Sequence, residues 1–206
     1  VAQRFSVPSP IVVYPCLPVD KNVRSSKIIN TGAHRFLTVG RLVERKGHAH
    51  VLMALSQLKQ QGRLPDFEYI IVGDGPMRQT LENLAGQLHL DEVKFQGDVS
   101  EEKKKELYAS ADLFVMPITD NPVDKEGFGL VFLEAAAHGV PSISTQIAGV
   151  DEAIINGKTG ILVPPGNIQA LAQAIANLIE NSDQRRELGE QARARALSDF
   201  TCEAQF

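Results

Sequence analysis

The residues best suited to chemistry stand in several short, glycine-bounded stretches. Gly40-Arg41-Leu42-Val43-Glu44-Arg45-Lys46-Gly47 sets a guanidinium and an ammonium between two glycines. If this stretch links a strand to a helix, both cations lie at the helix mouth, where the helix's own positive end helps them hold an anion. A solvated basic loop is the plainer alternative. Gly73-Asp74-Gly75-Pro76 supplies a turn, with Pro76 in the first helical position that proline favours. It is half of a dinucleotide fingerprint. The third glycine is absent and no acidic residue follows to hold a ribose, which argues against a nicotinamide site. In Phe95-Gln96-Gly97-Asp98-Val99-Ser100, Ser100 reads as the N-cap of the next helix, with Lys103 where a capping box would place Glu or Gln.

A longer stretch, Glu126-Gly127-Phe128-Gly129-Leu130-Val131-Phe132-Leu133-Glu134 and on through His138-Gly139-Val140-Pro141, is the most informative. Gly127 and Gly129 let a backbone approach a ligand closely. The helix that starts at Leu130 offers unbonded first-turn N–H groups and its dipole to an anion. Glu134 then stands as a lone carboxylate in an apolar helix. Beside a phosphate it would be repelled, so a fitting task is to accept hydrogen bonds from neutral hydroxyls, which sugars supply. A surface ion pair is the alternative.

These stretches need a scaffold that brings them to one edge. Short β-branched runs alternate with helical periods along the chain, the pattern of βα units around a parallel sheet. Strands are expected at Phe36–Val39, Tyr69–Val72, Val93–Phe95, Leu113–Met116, Ser142–Thr145 and Ile161–Val163. Helices are expected at Gly47–Gln61, Pro76–His89, Glu101–Ser110, Leu130–His138, Asp151–Ile155, Gln169–Ile179 and Asp183–Leu197. Six strands with helices between them make one doubly wound α/β domain, whose ligand sits at the carboxyl ends of the strands. Residues 1–34 differ in kind. Val7–Pro18 holds four of the 11 prolines and Asp20–Thr31 is polar without period, so an extended linker-like segment precedes the domain at 35–206.

Composition narrows the function classes. The 206 residues are 43% hydrophobic and 22% charged, an ordinary globular balance. No apolar run approaches the roughly 18 residues of a spanning helix, and no signal-peptide layout opens the chain, so a cytoplasmic location is expected. Twenty-one basic against 25 acidic residues give a net charge of −4, with no basic field for nucleic acid. Cys16 and Cys202 lie near opposite ends and read as two free thiols. His48 and His50 would lie about 200° apart on a helix, so no metal site is expected from them. The chain starts at Val1 rather than Met, which suggests a piece of something longer.

Taken in order, Gly40-Arg41…Lys46-Gly47, Val72-Gly73-Asp74-Gly75-Pro76, Phe95-Gln96-Gly97 and Glu126 and Glu134, separated by seven residues around Gly-Phe-Gly, carry a resemblance. So do Ala148-Gly149…Glu152 and Asn156-Gly157…Gly160-Ile161-Leu162-Val163. Over about residues 12–206 the chain resembles the C-terminal domain of family 4 (group 1) retaining glycosyltransferases of the GT-B type. The resemblance implies a Rossmann-like sheet that binds a nucleotide-sugar donor, with the acceptor held by an N-terminal domain absent from these residues. The last helices, 167–206, would close back toward that domain.

The resemblance also implies roles. Arg41 and Lys46 would hold the donor diphosphate and stabilise its departure, in place of a metal ion. Glu126 would bond donor-sugar hydroxyls, and Phe128, Gly129, Leu130 and Val131 would offer backbone N–H groups. Glu134 would take the ribose hydroxyls. Gly40 would line the phosphate end, and Gly73, Gln96 and Val99 would flank the base. No cofactor or metal is implied beyond the donor itself, the sugar would move with retention, and the acceptor would be a glycan or lipid-linked glycan. Any attachment at the inner face of a membrane would be peripheral, through the absent domain. The isolated chain would bind nucleotide weakly and transfer nothing. The rival readings are a GT-B epimerase or phosphorylase and a non-catalytic nucleotide-binding module. Two departures stand out: Ala148-Gly149 replaces the common Gly-Gly, at an expected cost in backbone freedom, and the loop Thr119–Lys125 is longer and more acidic than usual.

Overall fold

A computed structural model describes residues 33–119 and 129–205. The linker-like segment up to residue 32, Cys16, Glu126, Gly127, Phe128 and nearly all of the acidic loop lie outside the described residues.

Six strands form one parallel sheet: β1 (His34–Val39), β2 (Phe67–Val72), β3 (Val93–Gly97), β4 (Leu113–Val115), β5 (Ser142–Thr145) and β6 (Gly160–Val163). Their spatial order is β3-β2-β1-β4-β5-β6. The chain winds outward through β2 and β3, returns to lay β4 beside β1, and winds the other way through β5 and β6. The order reverses between β1 and β4, which opens a crevice above their carboxyl ends.

Both faces of the sheet are covered, so its strands bury side chains on both sides and successive residues alternate between two cores, with buried hydroxyls at Thr38, Ser142, Ser144 and Thr145. Phe36, Tyr69, Ile71 and Val115 face one core, filled by α1 (His48–Gln60), α2 (Arg78–Gln87) and α6 (Ile168–Glu180). Leu37, Ile70, Val72 and Phe114 face the other, filled by α3 (Glu101–Ser110), α4 (Leu130–Ala137) and α5 (Val150–Ala153). In α6 the buried set Leu171, Ala174, Ile175 and Leu178 follows the expected helical spacing. The long α7 (Ser182–Asp199) packs on α4, where Gly189 lies against the Gly139 carbonyl and Arg193 Nε donates to the Ala137 carbonyl at 3.1 Å. A short α8 (Cys202–Gln205) closes the described chain. Among the described residues no helix is long and apolar enough to cross a membrane.

Several expectations are corrected. β4 stops one residue early, at Val115. Buried hydroxyls on β5 take over there, as Ser144 Oγ donates to the Met116 carbonyl at 2.7 Å and Thr145 Oγ1 to that of Ile118. α2 begins at Arg78 rather than Pro76: Arg78 N–H closes a tight turn on the Gly75 carbonyl at 3.1 Å, and the Met77 carbonyl accepts the first bond of the helix, from Leu81 N–H at 2.9 Å. Cys202 is disulfide-bonded rather than free. Among the described non-glycine residues only His89 has a positive φ, so Ala148 carries no backbone penalty; Gly149, with φ 88°, makes the special turn alone.

Candidate functional site

The site grows from glycines at the strand ends. Gly73 has φ 114°, and a methyl group there would stand 2.3 Å from the Gly40 carbonyl oxygen. A methyl on Gly75 would stand 2.6 Å from the Leu42 oxygen. Only glycine lets the loops after β1 and β2 lie this close. Hydrogen bonds complete the junction: Leu42 N–H to the Asp74 carbonyl at 2.9 Å, Met77 N–H to the Leu42 carbonyl at 2.9 Å, and Gly73 N–H to the Gly97 carbonyl at 2.8 Å. The carboxyl ends of β1, β2 and β3 are thereby tied into one rim.

On that rim Arg41 is exposed, while Lys46 is 8% exposed and its stem lies along Gly40. Lys46 ends a single 3-10 turn, Glu44–Lys46, which the polar sequence gave no period to reveal. Gly47 follows in the left-handed region, φ 69°, and packs on the Pro117 carbonyl beyond β4. Thr119 N–H donates to the Arg45 carbonyl at 2.7 Å. The two walls of the crevice therefore touch through Gly47 and Arg45, and the cation-bearing loop is fixed where the strand order reverses.

His48 sets the base of that loop. It is 2% exposed, its Nε2–H donates to the Arg41 carbonyl at 3.3 Å, and Nδ1 meets no hydrogen-bond partner among the described residues. Burial, helped by the nearby Lys46 charge and opposed by the Arg41 carbonyl, lowers its pKa to about 4. An unfolded histidine protonates below about 6.5, so between there and about 4 unfolding takes up a proton and stability falls with pH. The expected loss across that window is about 3 kcal/mol from His48 alone, given its folded pKa of about 4. Urea unfolding at pH 7 and at pH 4 should show a smaller acid loss in His48→Gln, whose amide can still donate to Arg41. Equal losses in the two proteins would sink this account.

Beyond β4, Gly129 takes φ 75° as the N-cap of α4, so the helix begins at Leu130 as expected. Leu130 is 44% exposed, and Val131 packs on the core beneath α3 and α4. The first-turn N–H groups of α4 face out of the helix end, at the same rim of the sheet as Arg41 and Lys46. Gln96 is exposed on the edge strand β3, and Val99 packs partly into the second core. Ser100 caps α3 as predicted, its Oγ accepting from Lys103 N–H at 3.2 Å.

Glu134 is not a free surface carboxylate. Tyr108 Oη donates to its Oε2 at 2.8 Å and Lys104 Nζ to its Oε1 at 3.3 Å, both from α3, while the Glu134 side chain stays 27% exposed. Lys104 also pairs with Glu101 at 3.0 Å. Burial disfavours the Lys104 cation, but its bonds to Glu101 and the charge of Glu134 outweigh that and raise its pKa. Burial, with the Glu134 charge, holds the Tyr108 hydroxyl proton far above its usual range. Tyr108 and Lys104 were missed from sequence. The available signal was that Leu107 and Tyr108 are the only large apolar residues of a helix otherwise rich in charge, so both must face inward and the phenol needs a partner.

A doubly wound parallel sheet with its strand order reversing between β1 and β4 defines an α/β domain of the Rossmann-like class. Residues 19–195 match the family described as "Glycosyl transferases group 1", and the chain belongs to that family. It is 34% identical over 165 residues to the GDP-mannose-dependent alpha-(1-6)-phosphatidylinositol monomannoside mannosyltransferase of Mycolicibacterium smegmatis. That match covers 79% of this chain and 43% of the relative, so the chain spans about two-fifths of the relative's length. Among solved structures, Anabaena HepE in complex with UDP and glucose superposes with a TM-score of 0.73 at 27% identity, covering 82% of this chain and 45% of HepE. The C-terminal domain of the group 1 glycosyltransferase LpcC from Francisella tularensis superposes with a TM-score of 0.75 at 23% identity. It covers 89% of this chain and 99% of that domain, a likeness of fold. The sheet is thus that of the C-terminal half of a GT-B enzyme.

Proposed function

We propose that this chain is the donor-binding half of a retaining glycosyltransferase that moves a sugar from a nucleoside diphosphate to an acceptor glycan or lipid-linked glycan. The observation that carries this reading is the pairing of an anion-suited loop, Gly40–Gly47, with a carboxylate, Glu134, anchored on the helix beyond the switch point. The two groups suit opposite parts of one ligand, since the cations repel nothing in a diphosphate and the carboxylate suits a ribose diol.

In this reading the diphosphate lies against Arg41, Lys46 and the first turn of α4, whose preorganised positive charge takes the place of a metal ion as the leaving group departs. Gly73, Gln96 and Val99 flank the base. Glu126, outside the described residues, holds donor-sugar hydroxyls beside the N–H groups from Phe128 to Val131. The sugar leaves and is attacked on one face, with the departing phosphate accepting the acceptor's proton. Glu126 and Glu134 are therefore not the acid/base couple of a glycosidase, which must flank the scissile bond. The acceptor is held by a further domain, so the isolated chain binds donor weakly and turns nothing over. The protein works in the cytoplasm, with any membrane attachment peripheral and through that further domain.

Calorimetric titration of the chain with UDP, GDP, ADP and CDP tests the reading. One nucleoside diphosphate is expected to bind. Glu134→Ala should weaken it by about tenfold to a hundredfold, the worth of hydrogen bonds to a charged acceptor. Binding of none of the four would favour a non-catalytic domain that has only kept the fold, and turnover by the isolated chain would overturn the need for a second domain.

A further inference from the structure

We infer that Tyr108 is a positioning residue for ribose recognition: its hydroxyl holds the Glu134 carboxylate in the orientation that accepts both hydroxyls of a ribose. This rests on the donor-site reading above and assigns a task to a residue on α3 that the reading leaves idle.

The geometry on α3 and α4 carries it. A glutamate side chain on a helix surface is free about several torsions, and ordering it on ligand arrival costs affinity. Here that ordering is already done. Tyr108 Oη takes one lone pair of Oε2 at 2.8 Å and Lys104 Nζ takes one of Oε1 at 3.3 Å. A carboxylate offers about four acceptor sites, so roughly two remain, one on each oxygen. That is the demand of two adjacent hydroxyls.

Tyr108 is fixed well enough to serve as the reference point. Its ring is 1% exposed, stacks on His138 with centroids 5.4 Å apart and planes 21° apart, and tilts against Phe114 at 5.9 Å. The His138 ring is held in turn, its Nδ1–H donating to the Glu134 carbonyl at 2.9 Å. The phenol also lies 3.5 Å from the Val131 carbonyl, in the first turn of α4. The single hydroxyl proton goes to Glu134, so the carboxylate is fixed beside the first turn of α4. The groups facing Glu134 are Tyr108, Lys104 and His138, with Glu101 behind Lys104. Of these, Tyr108 alone is both rigid and fully enclosed.

The test compares the ribo and 2′-deoxyribo forms of UDP, GDP, ADP and CDP on the chain and on Tyr108→Phe. Phenylalanine keeps the ring stacking and removes only the hydroxyl. The wild-type chain should favour the ribo form by about tenfold, and in Tyr108→Phe that ratio should shrink to about twofold while binding of the deoxy form changes little. Circular dichroism melting reports whether the variant is folded. If it is not, Lys104→Met, at the more open end of the carboxylate, should lower the same ratio to a lesser degree. A folded variant with the wild-type ratio overturns the positioning role and leaves the donor site standing. A wild-type chain that binds neither form of any of the four nucleotides overturns the donor-site reading, and the positioning role with it.

Discussion

On the proposed donor-site reading, replacing Lys46 by alanine in the full-length protein is expected to lower kcat by about a thousandfold while KM for the donor moves far less. Lys46 is 8% exposed and sits at the end of a single helical turn clamped between Gly40 and Gly47. A charge so placed faces little solvent screening and needs no reorganisation as negative charge accumulates on the departing diphosphate. Its worth therefore grows from bound donor to transition state, which is the condition for acting on kcat. Arg41, on the exposed side of the same loop, is screened by water and should show a smaller effect with a larger share in KM. Steady-state kinetics with varied donor separates the two outcomes. A Lys46→Ala enzyme with unchanged kcat and a raised KM would show that the ammonium merely binds.

The second large effect is structural. Gly47→Ala is expected to cost about 3 kcal/mol or more, since alanine would be forced into the left-handed region and its methyl into contact with backbone. At φ 69° that methyl would lie 2.0 Å from the Pro117 carbonyl oxygen. Neither element yields easily, because Thr119 N–H holds Arg45 at 2.7 Å and the Ser144 and Thr145 hydroxyls hold Met116 and Ile118. The damage should spread from stability to nucleotide affinity, as the clash pushes the cation-bearing loop off the crevice. Urea unfolding read beside nucleotide titration checks both. Wild-type stability in Gly47→Ala would mean that the loop after β1 is not pressed against the far wall.

Much of the scaffold was legible because it rests on burial. Sandwiched strands carry few charges, so apolar runs such as Tyr69–Val72 stand out against polar helices, and α6 declares its inward face by spacing alone. Ser100 and Gly129 mark their helix starts by local chemistry that needs no distant partner. What escaped depends on tertiary pairing. Nothing near Pro76 in sequence reveals that residues 75–78 close a tight turn against the loop after β1, so α2 begins later than its proline suggests. His48 heads the i, i+3, i+4, i+7 set completed by Val51, Leu52 and Leu55, so its burial is legible in the spacing, but the Arg41 carbonyl it bonds is not. The partners of Glu134 lie 26 and 30 residues upstream, so its environment is a property of how α3 packs on α4. The resemblance singled out Glu134; only the structure shows what holds it.

The interlock of the loops after β1 and β2 has a consequence for anyone reshaping this protein. With Gly73 pressed on the Gly40 carbonyl, Gly75 on that of Leu42, and hydrogen bonds running both ways between Leu42 and residues 74–77, neither loop is a separable part. Residues 40–47 and 73–77 are one structural unit. A chimera that imports the first stretch from a relative with a different donor should fold only when the second comes with it, and substitutions accumulating in either will be tolerated or rejected according to the other.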